Sequence, residues 1–170
     1  GGNAKMIAKD RNFYGSVRVM RRGMNDDKLD RVVMAHGNTI HGVQFQNPSD
    51  RRRPTMYYTP DSGVGLAIQR HPVFLDRKRP LRVGVIGLGA GTLCCYAREG
   101  DVYRYYEIDP LVSQFAEEHF TFLGDARDRG AEVTTWLGDA RIVMERQLAA
   151  GEQQKFDVLV VDGFRRDAIP

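Results

Sequence analysis

Residues 81–110 read LRVGVIGLGAGTLCCYAREGDVYRYYEIDP, and this stretch decides the fold. Leu81, Val83, Val85 and Ile86 form a short apolar run, β-branched in most of its members, that stops abruptly at glycines. Such a run is a strand buried in a parallel sheet, ending in a tight turn. Gly87, Gly89 and Gly91 alternate next, and main chain without a Cβ can lie directly against a ligand. Residues 92–98 contain no breaker and predict a helix whose first N–H groups face whatever the loop holds. A second strand over 102–108 finishes at Glu107 and Asp109, and Pro110 closes it. In nucleoside-binding α/β folds, an acid at the end of the second strand accepts from the ribose hydroxyls. Strand, glycine loop, helix, strand and acid together point to a nucleoside site.

The glycine spacing narrows the nucleoside. A dinucleotide fingerprint places a small residue at its sixth position, where helix and strand pack closely. Here that position is Thr92 and the glycines fall as G-x-G-x-G. With Glu107 and Asp109 following, the pattern looks like the S-adenosylmethionine type of Rossmann fold, and a nicotinamide cofactor stands second.

Composition sets the outer limits. The chain has 170 residues, 42% of them hydrophobic, enough for one real core and without low complexity. Its 25 basic and 22 acidic residues leave a net charge of only +3, so charge gives no case for nucleic acid. Cys94 and Cys95 are adjacent, which suits neither a disulfide nor metal-ligand spacing, and both read as small buried hydrophobes. No signal peptide or bilayer-spanning apolar run is present, so no membrane contact is expected from this chain and a cytoplasmic location fits. No metal site is expected.

Read in order, residues 12–19, 29–35 and 39–45 are extended runs separated by polar turns, an antiparallel meander. Residues 46–60 read as a loop whose Arg51-Arg52-Arg53 tip is solvated, and residues 63–70 as a short helix. Beyond the glycine unit come a crossover helix over 111–120, a polar loop over 124–131 and a third strand over 132–137. Asp139 is placed to cap a helix over 142–148 or to accept from an adenine amino group. A fourth strand, 156–161, ends at Asp162, where the fold needs no charge; a carboxylate there can take a proton from an attacking amine. The expected architecture is α/β: a small antiparallel β domain (1–62), then a Rossmann-like S-adenosylmethionine-dependent methyltransferase fold (63–170), a parallel sheet with helices on both faces. That second domain is expected to continue past Pro170.

Six segments carry a resemblance: HGNTIHGVQF (36–45), YYTPDSGVGLA (57–67), VGVIGLGAGTL (83–93), YYEIDP (105–110), WLGDAR (136–141) and VLVVDGFRRDAIP (158–170). They resemble the spermidine synthase family, most closely its bacterial spermidine synthase-like members. The resemblance implies aminopropyl transfer from decarboxylated S-adenosylmethionine, as co-substrate, to a diamine such as putrescine, without a metal. It implies that Gln44, on the cofactor side, and Tyr57 or Tyr58 border the cleft, and that Gly87, Gly89 and Gly91 hold the aminopropyl-sulfonium end. Glu107, with Asp109 beside it, takes the ribose, and Asp139 with Ala140 the adenine. Asp162 is implied as the base, with Tyr57 in the catalytic set and Tyr58 and Asp167 toward the amine. A homodimer is a further expectation from the family.

The chain departs from the family pattern in two places. Tyr58 and Thr59 stand where a His-Glu pair is usual, and Gly163 to Arg166 displace the second acid to Asp167. Two arginines beside a diamine pocket repel a dication unless they point away. Two alternatives therefore stay open: methyl transfer from intact S-adenosylmethionine to another small nucleophile, and an inactive homologue that only binds a nucleoside.

Overall fold

A computed structural model of the chain describes residues 4–162. Its first part is a four-stranded antiparallel sheet in sequence order: β1 (Ala4–Asn12), β2 (Gly15–Arg22), β3 (Arg31–His36) and β4 (Thr39–Phe45). Alternation sets its inner face, since Val17, Val19, Val32 and Met34 are buried there. β1 is an addition to the expected meander. Seven of its nine residues are exposed, so backbone pairing to β2 holds it and no apolar pattern announces it. The extended run expected over 12–19 is split: Asn12 ends β1, Phe13 and Tyr14 make the turn, and β2 starts at Gly15.

The second part is parallel. Strands β5 (Arg82–Ile86), β6 (Val102–Glu107), β7 (Glu132–Leu137) and β8 (Val158–Val161) lie in the order β7-β6-β5-β8. Short helices α1 (Gly63–Gln69) and α2 (Pro72–Asp76) precede them. Two further helices, α3 (Pro110–His119) and α4 (Phe122–Asp128), pack Phe115, Ala116, Phe122 and Leu123 into the same core as Val83, Val85, Tyr103 and Tyr105. Tyr106 points to the other face, where its hydroxyl donates to Gln147 Oε1 of α5 (Ala140–Ala149) at 3.1 Å. Helices therefore lie on both faces, and the inner face of the first sheet shares the core.

Two expected elements differ. Residues 92–98 do not form an α-helix but a 3₁₀ turn, Thr92–Tyr96, with Ala97 already extended. Arg129 explains the stop: its guanidinium donates to the carbonyls of Cys94 (3.0 Å) and Ala97 (3.2 Å), acceptors that a continuing helix would need. Residues 124–131, expected as a loop, fall largely in α4. Phe122, Leu123 and Ala126 form its buried side, and the polar residues there are structural. Asp125 accepts from Arg51 at 2.7 Å and from Thr121 Oγ1 at 2.8 Å, so Arg51 is an anchor and not merely a solvated loop tip. Cys94 is fully buried, which pushes its thiol up to about 12 and leaves it an inert hydrophobe.

Candidate active site

The carboxyl ends of the four parallel strands form one rim, the usual place for ligands in open α/β sheets. The loop after β5 is tied down first, Gly87 N–H donating to the Tyr106 carbonyl at 2.8 Å. Gly87 and Gly89 take positive φ of 94° and 55°, and each also faces a close neighbour. A Cβ on Gly87 would stand 2.9 Å from Asp162 Cβ, and one on Gly89 would stand 2.6 Å from the His41 carbonyl oxygen. The Cβ side of the loop is thus filled by Asp162 and by strand β4, and Gly91 is closed off in the same way by Leu123. A ligand can meet this loop only from its other side.

Glu107 ends β6 and is nearly buried. Its Oε1 accepts the Leu88 N–H at 3.0 Å and its Oε2 the Asp109 N–H at 2.9 Å. Each oxygen keeps a lone pair, the arrangement needed to receive two neighbouring hydroxyls. Burial raises the Glu107 pKa above its ordinary value, and the backbone N–H groups around the carboxylate only partly oppose this. If ribose binds to the ionised form, adenosine affinity falls as pH drops through that raised value, above the ordinary glutamate pKa of about 4.3. Calorimetric titration with adenosine at a series of pH values checks this. A Glu107→Gln variant should bind weakly and lose the slope over the same range.

Asp109 caps α3 through the Leu111 N–H (3.0 Å) and accepts from Asn12 Nδ2 at 2.7 Å, both on Oδ1. Asp139 caps α5, its Oδ1 taking the Arg141 N–H at 2.9 Å, with Ala140 opening the helix. Capping is therefore the role on view for Asp139, on the same rim as the loop.

At the end of β8 the Asp162 N–H donates to the Ile86 carbonyl at 2.8 Å, continuing the ladder. Its carboxylate lies close enough to the Tyr58 hydroxyl to act on it electrostatically. Burial first, then the negative charge of Asp162, push the Tyr58 phenol well above its ordinary value, so it stays a donor at any working pH. The Tyr58 carbonyl is held in turn by the Tyr96 hydroxyl.

The two tyrosines thus separate: Tyr58 meets Asp162, whereas Tyr57 is 64% exposed. Gln44 is placed otherwise than the cleft expectation had it. It is 1% exposed, and its amide is spent on the Arg51 carbonyl (3.0 Å), Thr121 Oγ1 (2.6 Å) and the Thr121 N–H (2.9 Å). These bonds strap β4 to the start of α4. Asp167 lies outside the described residues. Sequence reading gave no role to Asn12, Tyr96 or the His41 main chain, whose partners Asp109, Tyr58 and Gly89 lie far away in the chain. Among the described residues no cluster of three or more His, Cys, Asp or Glu could hold a metal ion, and no helix is long and apolar enough to cross a membrane.

No family model matches the chain. A curated protein does: the chain is 28% identical over 172 aligned residues to a polyamine aminopropyltransferase of Vibrio vulnificus. The match takes in 99% of the chain and 52% of that protein, so the chain spans about half the length of its relative. A match running through both sheets, together with the fold just described, bears out the resemblance read from the six segments: the chain is similar to a polyamine aminopropyltransferase along its whole length.

Proposed function

We propose that the chain transfers an aminopropyl group from decarboxylated S-adenosylmethionine to a diamine such as putrescine, with Asp162 as the base. The observation that carries this reading is the Tyr58–Asp162 pair, which joins a phenol and a carboxylate beside Gly87 on the ligand rim. A sulfonium is already a good leaving group, so the protein has to align the reactants and remove one proton. The amine lone pair attacks the aminopropyl carbon bonded to sulfur, the carbon–sulfur bond breaks, and methylthioadenosine leaves neutral. Asp162 takes a proton from the ammonium form of the diamine, which frees that lone pair for attack, and the product leaves as the secondary ammonium. Tyr58, fixed as a donor, keeps that carboxylate turned toward the rim.

Glu107 takes the ribose hydroxyls in this reading, and Asp139 with Ala140 borders the adenine. The polyamine aminopropyltransferase it matches supports the transferase class, and the buried, doubly held Glu107 supports a nucleoside donor.

Incubation with putrescine and either decarboxylated or intact S-adenosylmethionine tests the reading. Spermidine and methylthioadenosine should appear together, in equal amounts, and only with the decarboxylated donor. Methyl transfer from the intact donor, with no spermidine formed, would assign the chain to the methyltransferases instead.

A further inference from the structure

We infer that Asn12, at the tip of the N-terminal hairpin, is a positioning residue for the nucleoside site, acting through Asp109 on Glu107. The inference rests on the ribose role proposed for Glu107.

Three hydrogen bonds run in series across the molecule. Asn12 Nδ2 donates to Asp109 Oδ1 at 2.7 Å, the Asp109 N–H donates to Glu107 Oε2 at 2.9 Å, and Glu107 Oε1 accepts from Leu88 of the glycine loop at 3.0 Å. The first link joins residues 97 apart in the chain, so it exists only because the hairpin packs on the start of α3.

Asp109 depends on that link. The residue is 2% exposed, and its Oδ2 is buried without a hydrogen-bond donor. The nearest cationic candidate, His36 Nε2, stands 3.9 Å from Oδ2 and lies 2.7 Å from the Tyr14 carbonyl. Besides the Leu111 N–H that it caps, Asn12 is the one hydrogen-bond donor to the Asp109 carboxylate among the described residues. A buried carboxylate that loses a donor turns to find another. A carboxylate that swings off the Leu111 N–H uncaps α3, so the first turn loosens and carries with it the Asp109 main-chain N–H that fixes Glu107 Oε2, the oxygen offered to a ribose hydroxyl. The N-terminal sheet thereby becomes part of how the nucleoside is held.

Asn12→Ser isolates the link. Asn12 Oδ1 accepts the Tyr14 N–H at 2.9 Å, and a serine Oγ keeps an acceptor for the hairpin turn, while its side chain is too short to donate to Asp109. Asn12→Ala, which adds no charge, serves if the first variant does not fold. Adenosine and 2′,3′-dideoxyadenosine are titrated calorimetrically into the wild-type chain and the variant. In the wild type adenosine should bind more tightly. In the variant that preference should shrink by about five- to tenfold, with dideoxyadenosine affinity unchanged. Equal loss for both ligands, or an undiminished preference, would show that Asn12 only supports the fold and would overturn the inference. A wild type with no preference would remove the ribose role of Glu107 itself, and the inference with it.

Discussion

Asp162→Asn is expected to lower the turnover of aminopropyl transfer by about 10²- to 10⁴-fold, the usual share of a general base, while methylthioadenosine affinity stays unchanged. The substitution is nearly isosteric. An asparagine Oδ1 can still face the Tyr58 hydroxyl, the backbone bond to Ile86 is untouched, and the close contact with Gly87 is made by Cβ, which both residues share. What disappears is the ability to take a proton from the attacking amine. Measuring kcat beside calorimetric affinity separates that loss from damage to the site. A variant with full kcat would remove Asp162 from the proton transfer. Tyr58→Phe should cost less, since the phenol orients the base but accepts no proton from the substrate.

The parallel half of the molecule was legible because its signals are local. Val83 and Val85 fill one strand, glycines stop it, and Glu107 closes the next, all within thirty residues of sequence. Asp139 was legible as a cap for the same reason. The elements that were misread depend on partners far away in the chain. The turn after Gly91 looks helical until Arg129 takes its carbonyls, and α4 looks like a polar loop because Asp125 and Arg127 are spent on Arg51 and Glu117. β1 has almost nothing to bury, so only its pairing to β2 defines it. At the site, adjacent Tyr57 and Tyr58 are the same residue type, and only the geometry tells which one reaches Asp162. Gln44 is polar in an otherwise apolar strand neighbourhood, which resembles a ligand contact until Thr121 is seen to use both ends of its amide.

Gly42→Ala is expected to destabilise the chain by about 1–3 kcal/mol, the usual cost of overpacking, and to lower its melting temperature by about 2–12 °C. The reason is where β4 lies. A Cβ on Gly42 would sit 2.4 Å from the Ala90 Cβ and 3.1 Å from the Ala90 backbone nitrogen, both within the glycine loop. The preceding residue, His41, sets its carbonyl against Gly89. Two consecutive residues of the antiparallel sheet are therefore pressed onto the loop that borders the ligand. Ala90 is 1% exposed and held on a short turn between fixed glycines, so it has no flexible side chain to swing aside, and relief must come from moving one sheet off the other. Because that movement displaces the loop and Leu88, which donates to Glu107, nucleoside affinity should fall along with stability. Gly124→Ala is the matched control. Its added methyl meets nothing within 4 Å and it lies inside α4, so it should be stabilising by about 0.5–1 kcal/mol. Thermal unfolding of the two variants side by side decides the matter: if Gly42→Ala melts with the wild type, the N-terminal sheet is not seated on the loop, and the route from Asn12 to Glu107 loses its footing as well.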